Sequence, residues 1–215
     1  MSDVAILAGC GPSLKDVDWV QLPEDAPVAA INVAIKLIPN PDWFILVDRP
    51  AQVEVDSGQA ATVAFASPSV RKVLTSLRRE DSKHLENVQF VDRHGGPQVD
   101  TEAIAAGHVP FDAKEPLFYG SGCTTEFALQ YLVLWGFKHI IMVGHDLAFD
   151  GAVPYFDGES KSQVEYSRKR QSIERVFEVL QLWRPHAANA GVKMYTHGTT
   201  RLSEFCPTWA ERDNP

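Results

Sequence analysis

Val4-Ala5-Ile6-Leu7-Ala8-Gly9-Cys10-Gly11-Pro12-Ser13-Leu14 is the stretch on which the reading of the fold turns. Five apolar or small residues run straight into Gly-x-Gly-Pro-Ser. That pattern predicts a buried first strand ending in a tight glycine turn. Glycine at 9 and 11 removes Cβ atoms that would block a ligand and permits backbone angles other residues avoid. Successive N–H groups in such a turn can converge on an anion, so a phosphate-bearing ligand is the first expectation. The motif is not the full dinucleotide fingerprint, because Leu14 stands where the third glycine would be. Nor is it a P-loop, because no Gly-Lys-Ser/Thr follows. A strand-to-helix turn without a ligand is the alternative reading.

Outward from this stretch, short apolar runs recur. They are Val28–Ile31 ending at Asn32, Trp43–Val47 ending at Asp48, Thr62–Ala66, Val88–Val91 ending at Asp92, Ile140–Val143 ending in Gly144-His145-Asp146, and Val192–Tyr195. Continuous apolar runs suit strands buried on both faces of a parallel sheet. Polar residues at carboxyl strand ends line the crevice where such sheets hold ligands. Two helices are expected. One runs over about 122–134, capped by Ser121, favoured at its amino end by Glu126 and stopped by Gly136. The other runs from about Ser162 to Trp183, with Val164, Ile173, Val176, Phe177 and Leu180 as its apolar stripe and Pro185 ending or kinking it. The prediction is one Rossmann-like α/β domain over 1–215. Its sheet is mostly parallel, of about six or seven strands, with helices on both faces. An irregular insertion is expected near 95–119, a loop over Phe149–Lys161 and a docking segment after Arg201.

Composition narrows the function classes. The chain has 215 residues, 45% hydrophobic and 22% charged, and a net charge of −8. That charge opposes non-specific binding to nucleic acid or anionic membrane. Arg71, Lys72, Arg78 and Arg79 cluster, as do Lys161, Arg168, Lys169 and Arg170. Each group reads as a solvated face or a local basic groove. No apolar run approaches the roughly 20 residues needed to span a bilayer. The Met-Ser-Asp start lacks a basic leader region, so a cytoplasmic protein is expected. Cys10, Cys123 and Cys206 are far apart, with no zinc-like spacing, and read as reduced thiols. An oxidoreductase is disfavoured because Asn32 replaces the acidic residue wanted after the second strand. A serine hydrolase is disfavoured for want of a Gly-x-Ser-x-Gly elbow, and a metallohydrolase for want of a histidine-rich ligand set.

Four motifs in order carry a resemblance. They are Gly9-Cys10-Gly11-Pro12-Ser13-Leu14, Ala30-Ile31-Asn32, Ser121-Gly122, and Gly136-Phe137-Lys138-His139-Ile140-Ile141-Met142-Val143-Gly144-His145-Asp146. The chain resembles the superfamily joining bacterial family-42 sialyltransferases to 6-hydroxymethylpterin diphosphokinase-like proteins, which include flagellin-glycosylation accessory and phage-encoded members. The resemblance implies that Gly11, Pro12, Ser13 and Asn32, with Gly9 in the same loop, hold a CMP-linked sugar. It also implies that Ser121 and Gly122 lie against the nucleotide, as the amino end of a helix favours phosphate. The sialyltransferases use a downstream histidine as base. Here Pro154-Tyr155-Phe156-Asp157-Gly158 fills the corresponding loop, and the next histidines are His186 and His197.

Individual residues acquire candidate roles. His145 is a catalytic base or a strand-end cap. Asp146 binds Mg²⁺ or a sugar or pterin amine, or caps the following turn. Asp48 contacts ribose hydroxyls and Arg49 a phosphate, or the two form a surface ion pair. Tyr155 and Asp157 close over substrate, or pack. Tyr119 orients a phosphate oxygen, or sits in the core. The leading expectation is a nucleotide-dependent, glycosyltransferase-like transferase using a CMP-, CDP- or UDP-sugar. Its acceptor would be a hydroxyl of a glycan, a small alcohol or a modified base. A diphosphokinase using ATP, with Mg²⁺ as a possible co-ligand, and a non-catalytic nucleotide-binding accessory protein are the alternatives. No membrane-spanning segment is expected, and a homo-oligomer is an open option.

Overall fold

The computed structural model describes residues 2–38, 40–47, 55, 58–75, 79–80, 82–91, 93–94, 118–119, 124–147, 163–198 and 200–212. Seven parallel strands form one sheet: β1 (Val4–Ala8), β2 (Val28–Ile31), β3 (Trp43–Leu46), β4 (Arg71–Thr75), β5 (Val88–Val91), β8 (His139–Val143) and β9 (Lys193–His197). Their order is β5-β4-β3-β2-β1-β8-β9. The helices are α1 (Gln59–Ala66), α2 (Thr124–Leu134) and α3 (Gln163–Asn189). The α/β expectation therefore holds, with every pairing in the main sheet parallel.

The central strands are buried at nearly every position, as their uninterrupted apolar sequences require. Trp43–Leu46 is buried throughout, and so are Ala5–Ala8, Ala29–Ile31 and Ile140–Val143. Strands of this kind need cover on both faces. α2 lies across β1, β2 and β3, and α3 packs against β9. On α3 the buried residues Val176, Phe177, Leu180, Trp183 and Ala187 repeat at helical spacing.

The strand order sets the position of the crevice. From β1 the chain winds outward through β2, β3, β4 and β5, whereas β8 lies on the other side of β1. β1 and β8 are in register from Val4–His139 to Ala8–Val143. Their carboxyl ends thus sit side by side at the topological switch point, where open parallel sheets bind ligands.

Three expectations are corrected. Thr62–Ala66 is not a strand but the body of α1, with Ala61, Ala64 and Phe65 buried at i, i+3 and i+4. Four alanines in eight residues favour a helix once that face is packed. The strand in that part of the chain is instead β4, whose first residues belong to the basic cluster expected as a solvated face or a local groove. Lys72 is fully buried, and its Nζ donates to the carbonyls of Ser67, Val70 and Glu86 at 2.7, 2.9 and 2.9 Å. Arg71 lies over the rings of Trp43 and Trp135. Lastly, α3 continues through Pro185 to Asn189 rather than ending near Trp183. Burial of Trp183 and Ala187 on either side offsets the missing N–H.

Smaller differences remain. Two short strands, β6 (Arg93–His94) and β7 (Phe118–Tyr119), pair in parallel at the margins of the expected insertion. The stretch between them lies outside the described residues. The segment after Arg201 docks as expected, with Thr196 N–H donating to the Pro207 carbonyl beside β9. Among the described residues no helix is long and apolar enough to cross a membrane.

Burial pushes the Lys72 ammonium below its usual range, with Glu86 opposing. Its three carbonyl bonds compensate, so Lys72→Met leaves those carbonyls unsatisfied. The expected loss is about 2–4 kcal/mol, read as a lower urea midpoint. An unchanged midpoint would show the ammonium to be dispensable.

Candidate functional site

The loops after β1 and β8 are built into each other. Gly9 N–H donates to the Val143 carbonyl at 2.8 Å, and Gly11 N–H to the Gly144 carbonyl at 2.7 Å. A Cβ on Gly9 would stand 2.6 Å from the Gly144 oxygen and 2.9 Å from the His145 ring. One on Gly11 would stand 1.8 Å from Asp146 Oδ2. Gly11 has φ −68° and ψ 158°, an extended conformation open to any residue. The physical reason for these glycines is therefore revised. They make room for the second loop, and two of the turn's N–H groups are bonded to protein carbonyls. Gly144 is different: its φ is +63°, and a Cβ there would meet Leu14 at 2.8 Å.

Ser13 closes the junction. Its N–H lies 3.3 Å from both carboxylate oxygens of Asp146, and its hydroxyl donates to Oδ2 at 2.9 Å. Pro12 opens the short 3-10 turn that presents this serine. Desolvation raises the Asp146 pKa, and the Ser13 bonds oppose the rise. Both oxygens are thus engaged by protein. Among the described residues no cluster of three His, Cys, Asp or Glu side chains gathers into a metal site.

His145 is buried, at 5% exposure. Its Nδ1 lies 2.9 Å from the Val143 carbonyl, so Nδ1 carries the proton and Nε2 is an acceptor. Nε2 has no hydrogen-bond partner among the described residues. Burial lowers the pKa to about 4, with the Val143 bond opposing. The C-terminal segment covers this turn: the Thr200 hydroxyl donates to the His145 carbonyl, and Arg201 N–H to that of Asp146. Sequence reading missed Thr200, which is 55 positions away from its partner.

Asn32 follows β2 with φ +47°, a left-handed conformation uncommon outside glycine. Its Oδ1 accepts from the Thr124 hydroxyl at 3.1 Å. Thr124 is the first residue of α2 and is 1% exposed. The bond brings the amino end of α2 to the carboxyl end of β2. The Cys10 thiol is free and buried, as the reduced-thiol reading expects, and donates to the Ile31 carbonyl at 3.3 Å. Gly9, Gly11, Pro12, Ser13, Asn32, His145 and Asp146 are therefore gathered at the carboxyl ends of β1, β2 and β8. Asp48, Ser121, Gly122 and Tyr155 lie outside the described residues, as do Arg49, Cys123 and Asp157. A cavity of about 740 Å³ lies elsewhere, between the end of α3, the start of β9 and Phe205–Thr208.

No protein-family model matches the chain, and no curated protein does. Solved structures do. The sialyltransferase CstII from Campylobacter jejuni, in complex with cytidine-5'-monophosphate, superposes with a TM-score of 0.56 at 15% identity, over 95% of this chain and 84% of that one. CstII with a trisaccharide acceptor and CMP gives 0.55 at 16% identity, over 95% and 85%. The monofunctional alpha-2,3-sialyltransferase Cst-I from the same organism gives 0.55 at 15%, over 96% and 80%. These likenesses show a shared fold along nearly the whole chain.

Two outcomes follow from the loop junction. Gly11→Ala drives a methyl into the Asp146 carboxylate and should destabilise by about 2–4 kcal/mol, as a forced close contact does. Asp146→Ala in the same chain should relieve part of that loss, and denaturant melts that add without coupling would contradict the geometry. For His145, the folded-state pKa near 4 lies below the ordinary 6.5. The unfolded chain therefore binds more protons between those values. The neutral imidazole's contribution is complete above pH 6.5 and is lost as pH falls towards 4, by up to about 3 kcal/mol. His145→Gln should flatten the stability profile in that window.

Proposed function

We propose that this chain is a glycosyltransferase that draws its sugar from a CMP-linked donor and passes it to an acceptor hydroxyl. The observation that carries the reading is the likeness of fold, over 95% of the chain, to a sialyltransferase bound to CMP. What supports it further is Asn32, an asparagine held in a left-handed conformation at the carboxyl end of β2, beside the switch point. The likeness to a structure holding a trisaccharide acceptor favours a glycan as the acceptor class.

In this reading the acceptor oxygen attacks the sugar's anomeric carbon. The bond from that carbon to the phosphate oxygen breaks, and CMP leaves with the charge. Asn32 and the segment leading into α2, with Ser121 and Gly122, supply donors to the phosphate-bearing half of the molecule. Gly9, Gly11, Pro12 and Ser13 shape the floor of the crevice. Asp146 acts as the brace between loops, since both its oxygens accept from Ser13. His145 supports the same floor, because an imidazole with a pKa near 4 is a poor proton acceptor at neutral pH. The group that receives the acceptor's proton is then sought at Tyr155 and Asp157. Asp48 remains a candidate for the ribose hydroxyls. The diphosphokinase alternative rests on ATP and Mg²⁺, and no observation here speaks for either.

Calorimetric titration with CMP, UMP and AMP tests the proposal. CMP should bind in the micromolar range and at least about tenfold more tightly than the other two, with Asn32→Ala weakening it by about tenfold through the loss of one charge-assisted bond. Release of CMP from a CMP-sugar in the presence of a glycan acceptor should follow. If CMP binds no better than millimolar, or no better than AMP, the proposal is abandoned.

A further inference from the structure

Thr124 is fixed in the interior at the first turn of α2, a position where a threonine is expected to face water or cap its own helix. Instead its hydroxyl reaches across to Oδ1 of Asn32, 92 positions earlier in the chain. An amide has two unlike ends: an oxygen that only accepts and a nitrogen that only donates. A hydroxyl that donates to the oxygen fixes which end is left over. Asn32 is half-buried, and its Nδ2 has no hydrogen-bond partner among the described residues. Two N–H donors are therefore left over at the carboxyl end of β2.

We infer that Thr124 is a positioning residue that sets the polarity of Asn32, turning its amide into a donor-only contact for an oxygen-rich ligand group. Two further restraints act on the same residue. The Cys10 thiol holds the Ile31 carbonyl just before it. The left-handed φ of +47° aims its backbone away from the strand direction. An asparagine tolerates that conformation better than most side chains do. It therefore supplies both the turn and the donors. Phosphate oxygens and sugar hydroxyls accept from such donors, whereas a ligand amine would be rejected. The inference rests on the CMP-donor reading for the identity of the ligand, but not for the orientation of the amide.

The test uses the full chain with Thr124→Val, which keeps shape and removes the hydroxyl, and Thr124→Ser, which restores it. Thr124→Val should raise the Kd for CMP and the KM for a CMP-sugar by about tenfold, the usual scale of one lost hydrogen bond, while kcat changes by less than about threefold. Thr124→Ser should recover most of the affinity. A second readout needs no ligand. The Asn32 side-chain NH₂ in ¹⁵N relaxation should be ordered in the native chain, mobile in Thr124→Val and ordered again in Thr124→Ser. Binding by Thr124→Val that equals the native chain overturns the inference, and so does an equally ordered amide in that variant. If the native chain does not bind CMP, the proposed function falls and the relaxation measurement alone decides the role of Thr124.

Discussion

The interlock between the loops after β1 and β8 is the constraint on which the rest of the structure depends. Two parallel strands in register deliver Gly9 and Gly144 to the same height. From there each chain must leave the sheet without colliding with the other. Glycine at 9 and 11 provides the space, and glycine at 144 provides the left-handed turn. Ser13 and Asp146 then tie the two exits together with a carboxylate held by an N–H and a hydroxyl. Because this junction is the topological switch point, its rigidity is also the rigidity of the crevice floor.

A second theme is the burial of polar side chains through satisfaction of specific partners. Lys72 places a cation inside the fold at the start of β4 by meeting three backbone carbonyls, two in the preceding turn and one just before β5. Thr124 places a hydroxyl inside by meeting an amide from another strand. His145 goes halfway, with one nitrogen bonded and the other left as an unpartnered acceptor. Buried groups of this kind cost several kcal/mol when unmatched, so their partners are as much part of the fold as the apolar core. The fully bonded ones brace the sheet and the crevice. The half-bonded one is the group expected to make the fold sensitive to acid.

The charge of the chain fits this division. A net −8 repels polyanions at long range, but screening confines that repulsion to roughly a Debye length. A small anionic donor can still be held by neutral groups: amide N–H donors and the dipole of a helix end. Such groups give direction without adding charge. An asparagine with its oxygen already engaged is suited to that task, and the proposed transferase activity draws on it.

Strand identity was legible in the central apolar runs. Val4–Ala8 and Val28–Ile31 match the expected bounds, because a strand buried on both faces admits little else, and the partly exposed edge strand Val88–Val91 matches them too. The gathering of Asn32, Gly9–Ser13 and Gly144–Asp146 at one end of the sheet was legible too, as each follows a strand and parallel strands end on one side. What failed depended on long-range partners. Lys72 reads as solvent-facing until the carbonyls of Ser67, Val70 and Glu86 receive its ammonium inside the fold, whereas Arg71 beside it stays exposed against Trp43 and Trp135. Thr62–Ala66 carries β-branched and aromatic residues, but its burial at 61, 64 and 65 selects the helical period. His145, read as a base or a strand-end cap, is buried with its Nδ1 on the Val143 carbonyl. Local pattern determines which segments are strands and where their ends lie. Desolvation and cross-chain hydrogen bonding, which exist only once the chain has folded, decide which polar residues face the crevice and which are consumed in holding it open.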